Sequence, residues 1–319
     1  MILVFVEHAE GDVLLTSREA MTFGRGLAAE LGVPLHAAFV GGEPAPLALA
    51  CGTYGADVVH AVGGATSDTY APVAWARALA GIAGSAGAVA VVASGTDRGA
   101  EVLAHLGAIT DLPLAAGCVS ATPGDPFRVT RQRYGGSLLE DATIDGAIKL
   151  LGMAPHAVAA EEAASPSTPE VRPFEPVLEE ADVRVRLTDR ELAEPGSISL
   201  ADARVVVGGG RGVGGAEGFK PLEELARRLG GTVGVSRAVT SAGWRPHSEQ
   251  VGQTGARIAP DLYIACGISG ATQHIVGCRG AKRILAINTD RDAPMVTAAD
   301  YAVIGDLHEV IAAVLAELP

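Results

Sequence analysis

The sequence predicts an α/β protein of two domains, an amino-terminal parallel-sheet domain with a nucleotide-binding-like plan and a carboxyl-terminal Rossmann-like domain. Two observations carry that reading. In both halves, continuous apolar runs rich in β-branched residues alternate with segments of helical period, the pattern of βαβ units whose sheet is covered on both faces. Between the halves, residues 155–176 are rich in Pro and Glu and break the pattern. A chain of 319 residues has room for two domains of the usual size. The division is placed at 1–198 and 199–319.

In the first half, residues 1–7 read as a strand. Thr16-Ser17-Arg18-Glu19 has the spacing of a capping box and predicts a helix running to about Leu31. Further strands are expected at 35–40, 57–62, 88–93 and 113–120, with helical patterns at 70–79 and 99–106. From 127 to 151 short strands with Gly turns, such as Arg133-Tyr134-Gly135-Gly136, predict an antiparallel appendage. The 155–176 stretch has little capacity for a core. Residues 182–187, Asp-Val-Arg-Val-Arg-Leu, alternate and predict one more half-exposed strand. The second half reads as strand 203–207, a Gly-rich turn, helix 219–229 and strand 232–235. Strands 262–266, 283–287 and 301–304 follow, and Asp306 is placed to cap a last helix over 307–318.

Composition excludes several classes of partner. The formal charge of −13 and a pI near 5 oppose binding to phosphate backbones or anionic lipid, so neither nucleic acid nor a membrane surface is expected. The amino terminus has no basic segment before its apolar run, and no stretch has the roughly 18 apolar residues of a membrane helix. A cytoplasmic location is therefore expected. Cys51, Cys118, Cys266 and Cys278 are scattered without a CxxC pair, which predicts reduced, buried thiols rather than metal ligands.

Residue types that carry chemistry gather in the second half. Gly208 to Gly215 follows an apolar strand, and Gly210, Gly212 and Gly215 satisfy G-x-G-x-x-G. The acidic residue that a dinucleotide fingerprint places about 20 residues later is missing; Ser236-Arg237 stands there instead. Gln250-Val251-Gly252-Gln253-Thr254 offers amides and a hydroxyl, suited to a neutral polyhydroxylated ligand. Ser269-Gly270-Ala271-Thr272-Gln273-His274 opens a helix after a strand, where free amides favour anions. Asn288 and Asp306 each close a strand. There is no GxSxG elbow, no HExxH and no Walker lysine. The residues thus describe a dinucleotide binder without acid–base machinery, with an NAD-dependent oxidoreductase using the turn after Val207 as the alternative.

These motifs resemble electron transfer flavoprotein alpha subunits. Ser236-Arg237, Val251 to Gly255, Leu262-Tyr263-Ile264-Ala265, Gly267 to His274, Ala286-Ile287-Asn288 and Ala299-Asp300-Tyr301 recur there in this order, and Gly95-Thr96-Asp97-Arg98-Gly99 resembles the family's first domain. The resemblance implies that 199–319 is an FAD-binding domain. It implies contacts to FAD from Arg211, Ser236, Arg237, Gln250, Val251, Gly252, Gln253, Thr254, Ser269, Gly270, Ala271, Thr272, Gln273, His274, Asn288, Asp306 and Leu307. Arg237 and His274 would lie near the isoalloxazine ring, Thr254 near its redox-active nitrogen and Gln253 near the ribityl chain. Ser269 and Gly270 would hold the pyrophosphate, and Asn288 with Asp306 the adenosine. The resemblance further implies a beta-subunit partner carrying AMP or a second FAD. It also implies an electron carrier without substrate turnover of its own, serving flavin dehydrogenases, as in fatty acid beta-oxidation, and a downstream quinone reductase. Thr272, Thr289 and Cys278 depart from the family's usual residues at their positions.

Overall fold

The computed structural model describes residues 1–64, 69–188, 198–200 and 203–318. They form two compact units, Met1–Glu191 and Leu192–Pro319. The first unit begins with β1 (Ile2–Phe5), a small hairpin of β2 (His8–Ala9) and β3 (Asp12–Val13), and α1 (Leu15–Leu31). It continues through β4 (Leu35–Val40), α2 (Pro44–Thr53), β5 (Val58–Val62), α3 (Pro72–Ser85), β6 (Ala90–Ser94) and α4 (Asp97–Thr110). Then come β7 (Leu114–Thr122), β8 (Arg128–Arg133), β9 (Leu138–Thr143), β10 (Lys149–Met153) and β11 (Glu170–Phe174). Among the described residues the sheet order is β11-β5-β4-β1-β6-β10-β7-β8-β9. β1 is apolar on both faces because helices cover both: Ile2 and Val4 enter one core, Leu3 and Phe5 the other.

Four local expectations in this unit need correction. The first helix starts at Leu15, not after a Thr16 cap: Leu14 is its unsupported N-cap. Ser17 is buried and its Oγ instead accepts from the Glu7 amide, while the Glu19 carboxylate accepts from the backbone and ring of His156. The antiparallel appendage consists of β7, β8 and β9 only, since β10 returns to run parallel between β6 and β7. The Pro- and Glu-rich stretch does pack. It is tied to α1 by Arg25 donating to the Glu161 carbonyl, and it supplies β11, whose Phe174 packs against the core under α3. Residues 182–187 form no strand, and β11 is the strand that takes the free edge of β5. Asp182 turns inward there, accepting from Arg77 and the Glu179 amide, and Glu180–Val183 is a short 3₁₀ turn.

The second unit is built from β12 (Val205–Gly209), α5 (Lys220–Arg228), β13 (Thr232–Val235), α6 (Arg237–Ser241) and β14 (Leu262–Cys266). α7 (Thr272–Cys278), β15 (Ile284–Asn288), α8 (Pro294–Ala298), β16 (Tyr301–Ile304) and α9 (Leu307–Glu317) complete it. All its paired strands are parallel, in the order β13-β12-β14-β15-β16. The two faces bury separate cores, one with Phe219, Leu222 and Ile311, the other with Tyr263, Ile258 and Met295. The chain leaves β12 to one side for β13 and returns on the other for β14. That reversal opens a crevice beyond the carboxyl ends of the strands, the usual place for a ligand in a doubly wound sheet.

Candidate functional site

Four loops meet at that crevice, and each is brought there by backbone contacts. Ser236 follows β13 directly, its amide donating to the Gly209 carbonyl, and it opens the short helix α6 with Arg237 as first residue. The chain then loops out and is pulled back. Arg245 grips Glu249 at 2.7 and 2.8 Å, pairs with Glu223 of α5 and lies over the Phe219 ring. The return sets Gln250 beside Val235, so the 250–254 loop lies next to Ser236 and Arg237. Its far side is sewn to α7 by the Gln253 amide, which donates to the Gln273 carbonyl at 2.9 Å. The loop after β14 enters α7 through Gly270 at φ +82, where a Cβ would stand 2.2 Å from the Met295 nitrogen. Only glycine fits both the left-handed backbone and the contact.

These loops enclose a cavity of about 190 Å³. Of the residues expected to bind a ligand, Ser236, Arg237, Gln250, Val251, Gly252, Gln253, Thr254, Ser269, Gly270, Ala271, Gln273 and His274 line it. Ala238 and Ile268 line it as well. Sequence reasoning had passed over both: small or apolar side chains carry no chemical signal, although each is flanked by residues that do. Arg211, Thr272, Asn288, Asp306 and Leu307 do not line the cavity. Four of these five nevertheless gather around the loop after β14. Asn288 donates to the Ile268 carbonyl at 3.0 Å, the Gly212 amide donates to the Gly267 carbonyl next to Arg211, and Leu307 is buried against Gly267. Asp306 sits at the head of α9, accepting from the His308 and Glu309 amides as its cap. Thr272 is an exposed first residue of α7.

The glycine-rich turn has a different task from the one its spacing suggests. A Cβ on Gly210 would stand 2.2 Å from the Gly267 oxygen, and one on Gly212 would stand 2.7 Å from the Gly267 Cα. Both glycines are spent on backbone-to-backbone contact with the loop after β14. The helix α5 does not follow the turn directly but begins at Lys220, after two 3₁₀ turns. The NAD alternative finds no support in this arrangement.

No carboxylate lines the cavity, and its one guanidinium, Arg237, is exposed and unpaired among the described residues. Such a lining suits an anion or a ring on which negative charge develops. Gln250 is buried, with its amide held at both ends: the Thr240 hydroxyl donates to Oε1 at 2.6 Å, and Nε2 donates to the Thr254 hydroxyl oxygen at 2.9 Å. Thr254 thus keeps its own proton to donate into the cavity. His274 is held neutral, its pKa pushed down to about 4 chiefly by burial, against a smaller upward pull from the Val251 backbone. Cys266 and Cys278 behind the site are buried free thiols pushed up to about 12 by desolvation.

Two family models match parts of the chain, electron transfer flavoprotein domain over residues 2–178 and electron transfer flavoprotein FAD-binding domain over residues 199–279. The chain belongs to the electron transfer flavoprotein alpha-subunit family. It is 32% identical over 322 residues to the electron transfer flavoprotein subunit alpha of Thermoanaerobacterium thermosaccharolyticum, spanning 99% of this chain and 97% of that one. It is 37% identical over 313 residues to the subunit alpha of Mycobacterium tuberculosis, 97% of this chain and 95% of that one. Protein FixB of Clostridium saccharobutylicum is 33% identical over 324 residues, 99% of this chain and 95% of that one. FAD is therefore the cofactor of the second unit, as the family resemblance implied, and the family implies a beta-subunit partner. The lining fits FAD: it offers a cation, amides and hydroxyl donors and opposes the flavin with no negative charge. When bound, FAD supplies the electron chemistry, while the protein sets its orientation, potential and access. No helix among the described residues is long and apolar enough to cross a membrane.

Proposed function

We propose that this chain is the FAD-carrying half of a heterodimer that relays electrons from flavin dehydrogenases to a downstream acceptor such as a quinone reductase, without substrate turnover of its own. The observation that carries the reading is the lining of the cavity, one arginine unpaired among the described residues, with amide and hydroxyl donors and no carboxylate. Arg237 offers positive charge to a ring gaining an electron. At about 4 Å and an effective dielectric near 20 that attraction is about 4 kcal/mol, an upper bound for an exposed guanidinium. His274 contributes a neutral imidazole and Thr254 a hydroxyl proton. Gln253 holds the ribityl chain, and Ser236, Gln250, Val251 and Gly252 shape the wall around it. Ser269, Gly270, Ala271, Thr272 and Gln273 receive the pyrophosphate. The strip of Arg211, Asn288, Asp306 and Leu307 extends from the cavity along the carboxyl edge and holds the adenosine end.

The functional division is 1–198 and 199–319, with the FAD domain beginning after the Pro- and Glu-rich stretch. The protein works in the cytoplasm, and the beta subunit carries AMP or a second FAD; fatty acid beta-oxidation is one source of electrons. The test is an absorbance spectrum of the chain purified with its co-expressed partner, followed by release and identification of the chromophore. One FAD per alpha chain is the expected result, and a second per heterodimer identifies an electron-bifurcating complex. A colourless protein that takes up no added FAD overturns the assignment.

A further inference from the structure

Behind the cavity lies a buried polar pair. Tyr263 of β14 is completely enclosed, and its hydroxyl is 2.7 Å from His274 Nε2, the one hydrogen-bond partner that hydroxyl has among the described residues. The hydroxyl has a built seat: a Cβ on Gly208 of β12 would stand 2.3 Å from it, so a residue larger than glycine would displace the phenol. At the other end of the imidazole, Nδ1 is buried without a well-formed hydrogen bond, with only a weak interaction with the Val251 backbone. A buried hydroxyl proton needs an acceptor. If Nε2 carried the ring proton, it would donate to the phenol and leave the phenol's own proton without one. Nδ1 would then turn a bare lone pair toward the Val251 carbonyl. If Nδ1 carries the proton, the phenol donates to Nε2, so the buried hydroxyl proton has its acceptor, and the Nδ1 proton, rather than a bare lone pair, faces that carbonyl.

We propose that Tyr263 is a positioning residue that locks His274 as the neutral tautomer with its proton on Nδ1, leaving Arg237 as the sole cation of the cavity wall. Burial favours the same state, since it raises the phenol well above its usual range and depresses the imidazole. The titratable groups around the pair are Cys266 on β14, Cys278 on α7 and Arg237 on the cavity wall; both thiols are raised by burial and remain neutral. The lock gives the wall a charge that does not vary through neutral pH. The inference rests on reading the cavity as the flavin's, but the ring proton is located in the flavin-free chain as well as in the loaded one.

The test compares the full chain with Tyr263→Phe, which keeps the ring and removes only the hydroxyl. Nitrogen-15 NMR of His274 is recorded with and without FAD across neutral pH. In the wild-type chain Nδ1 gives a protonated and Nε2 an unprotonated shift, neither moving with pH. In the variant the two shifts draw together as the tautomers exchange, and the ring titrates at higher pH because the donor to the bare lone pair is gone. A wild-type chain with the proton on Nε2, or a variant with an unchanged pattern, overturns the proposal. General destabilisation lowers the melting temperature but does not redistribute the ring proton. FAD content of the same samples is a separate readout: a locked imidazole in a chain that binds no FAD sinks the flavin reading and supports the tautomer assignment.

Discussion

Arg237 and Gln250 act on the same cavity in different ways. Arg237 is exposed at the start of α6, so its removal costs the fold little and the flavin more. Arg237→Ala is expected to lower the flavin potential while leaving the unfolding midpoint within experimental scatter; a redox titration that matches wild type removes its role. Gln250 is the reverse case. Gln250→Leu leaves the Thr240 and Thr254 hydroxyls without the amide between them. It should cost about 1–3 kcal/mol, and it should weaken FAD retention because Thr254 is no longer held. Denaturant unfolding of the apo-chain and flavin stoichiometry of the loaded chain measure the two losses separately. Both residues were legible in sequence, Arg237 at a strand end and Gln250 in a polar loop. The amide's place between two threonines was not, because Thr240 is ten positions away and meets Gln250 only when the loop closes.

At the scale of elements, the packing of the glycine-rich turn against the loop after β14 is the joint on which the crevice depends. Gly210→Ala would drive a methyl into the Gly267 carbonyl. Overpacking of this kind costs about 1–3 kcal/mol. It should also move Ile268 and Ser269, so FAD is lost before the unit unfolds; an alanine variant with full flavin and unchanged stability would contradict this. The spacing G-x-G-x-x-G was visible in the sequence, but its meaning was not. Whether a glycine faces a phosphate or a neighbouring backbone depends on which loop comes to lie against it. The Pro- and Glu-rich stretch has the same lesson. Its composition signalled a break, yet Glu170–Phe174 finds the open edge of β5 and becomes a strand. Pro173 is tolerated because that strand is at the sheet edge.

For the whole molecule, three buried histidines contribute to the response to acid. His60, paired with His36 at 3.1 Å, is lowered to about 4 by burial first and by His36 second, and His274 is likewise lowered to about 4. His36 is lowered too, chiefly by burial. Each binds its proton more readily in the unfolded chain, where the usual value is 6.5. Their contribution is present above about 6.5 and is lost as pH falls through that window toward about 4. Glu7 runs oppositely, since burial raises it and its cost grows as pH rises past the ordinary carboxylate range. Unfolding free energy should therefore fall steeply with acid below neutrality, with a shallower fall in His60→Phe; a variant with the wild-type slope would exclude His60.

The sequence by itself determined the two α/β units, the order and type of nearly every strand in the second, the cap at Asp306 and most of the lining of one polar crevice. Those properties follow from local periodicity, strand ends and side-chain chemistry, and they are written in short stretches of chain. Only the tertiary structure decided what Gly208, Gly210 and Gly212 are for, that β11 completes the first sheet and that residues 182–187 form no strand. It also decided that a tyrosine hidden in β14 reaches the histidine of the site. Each of these depends on which distant segment occupies the neighbouring space, and no local pattern records that.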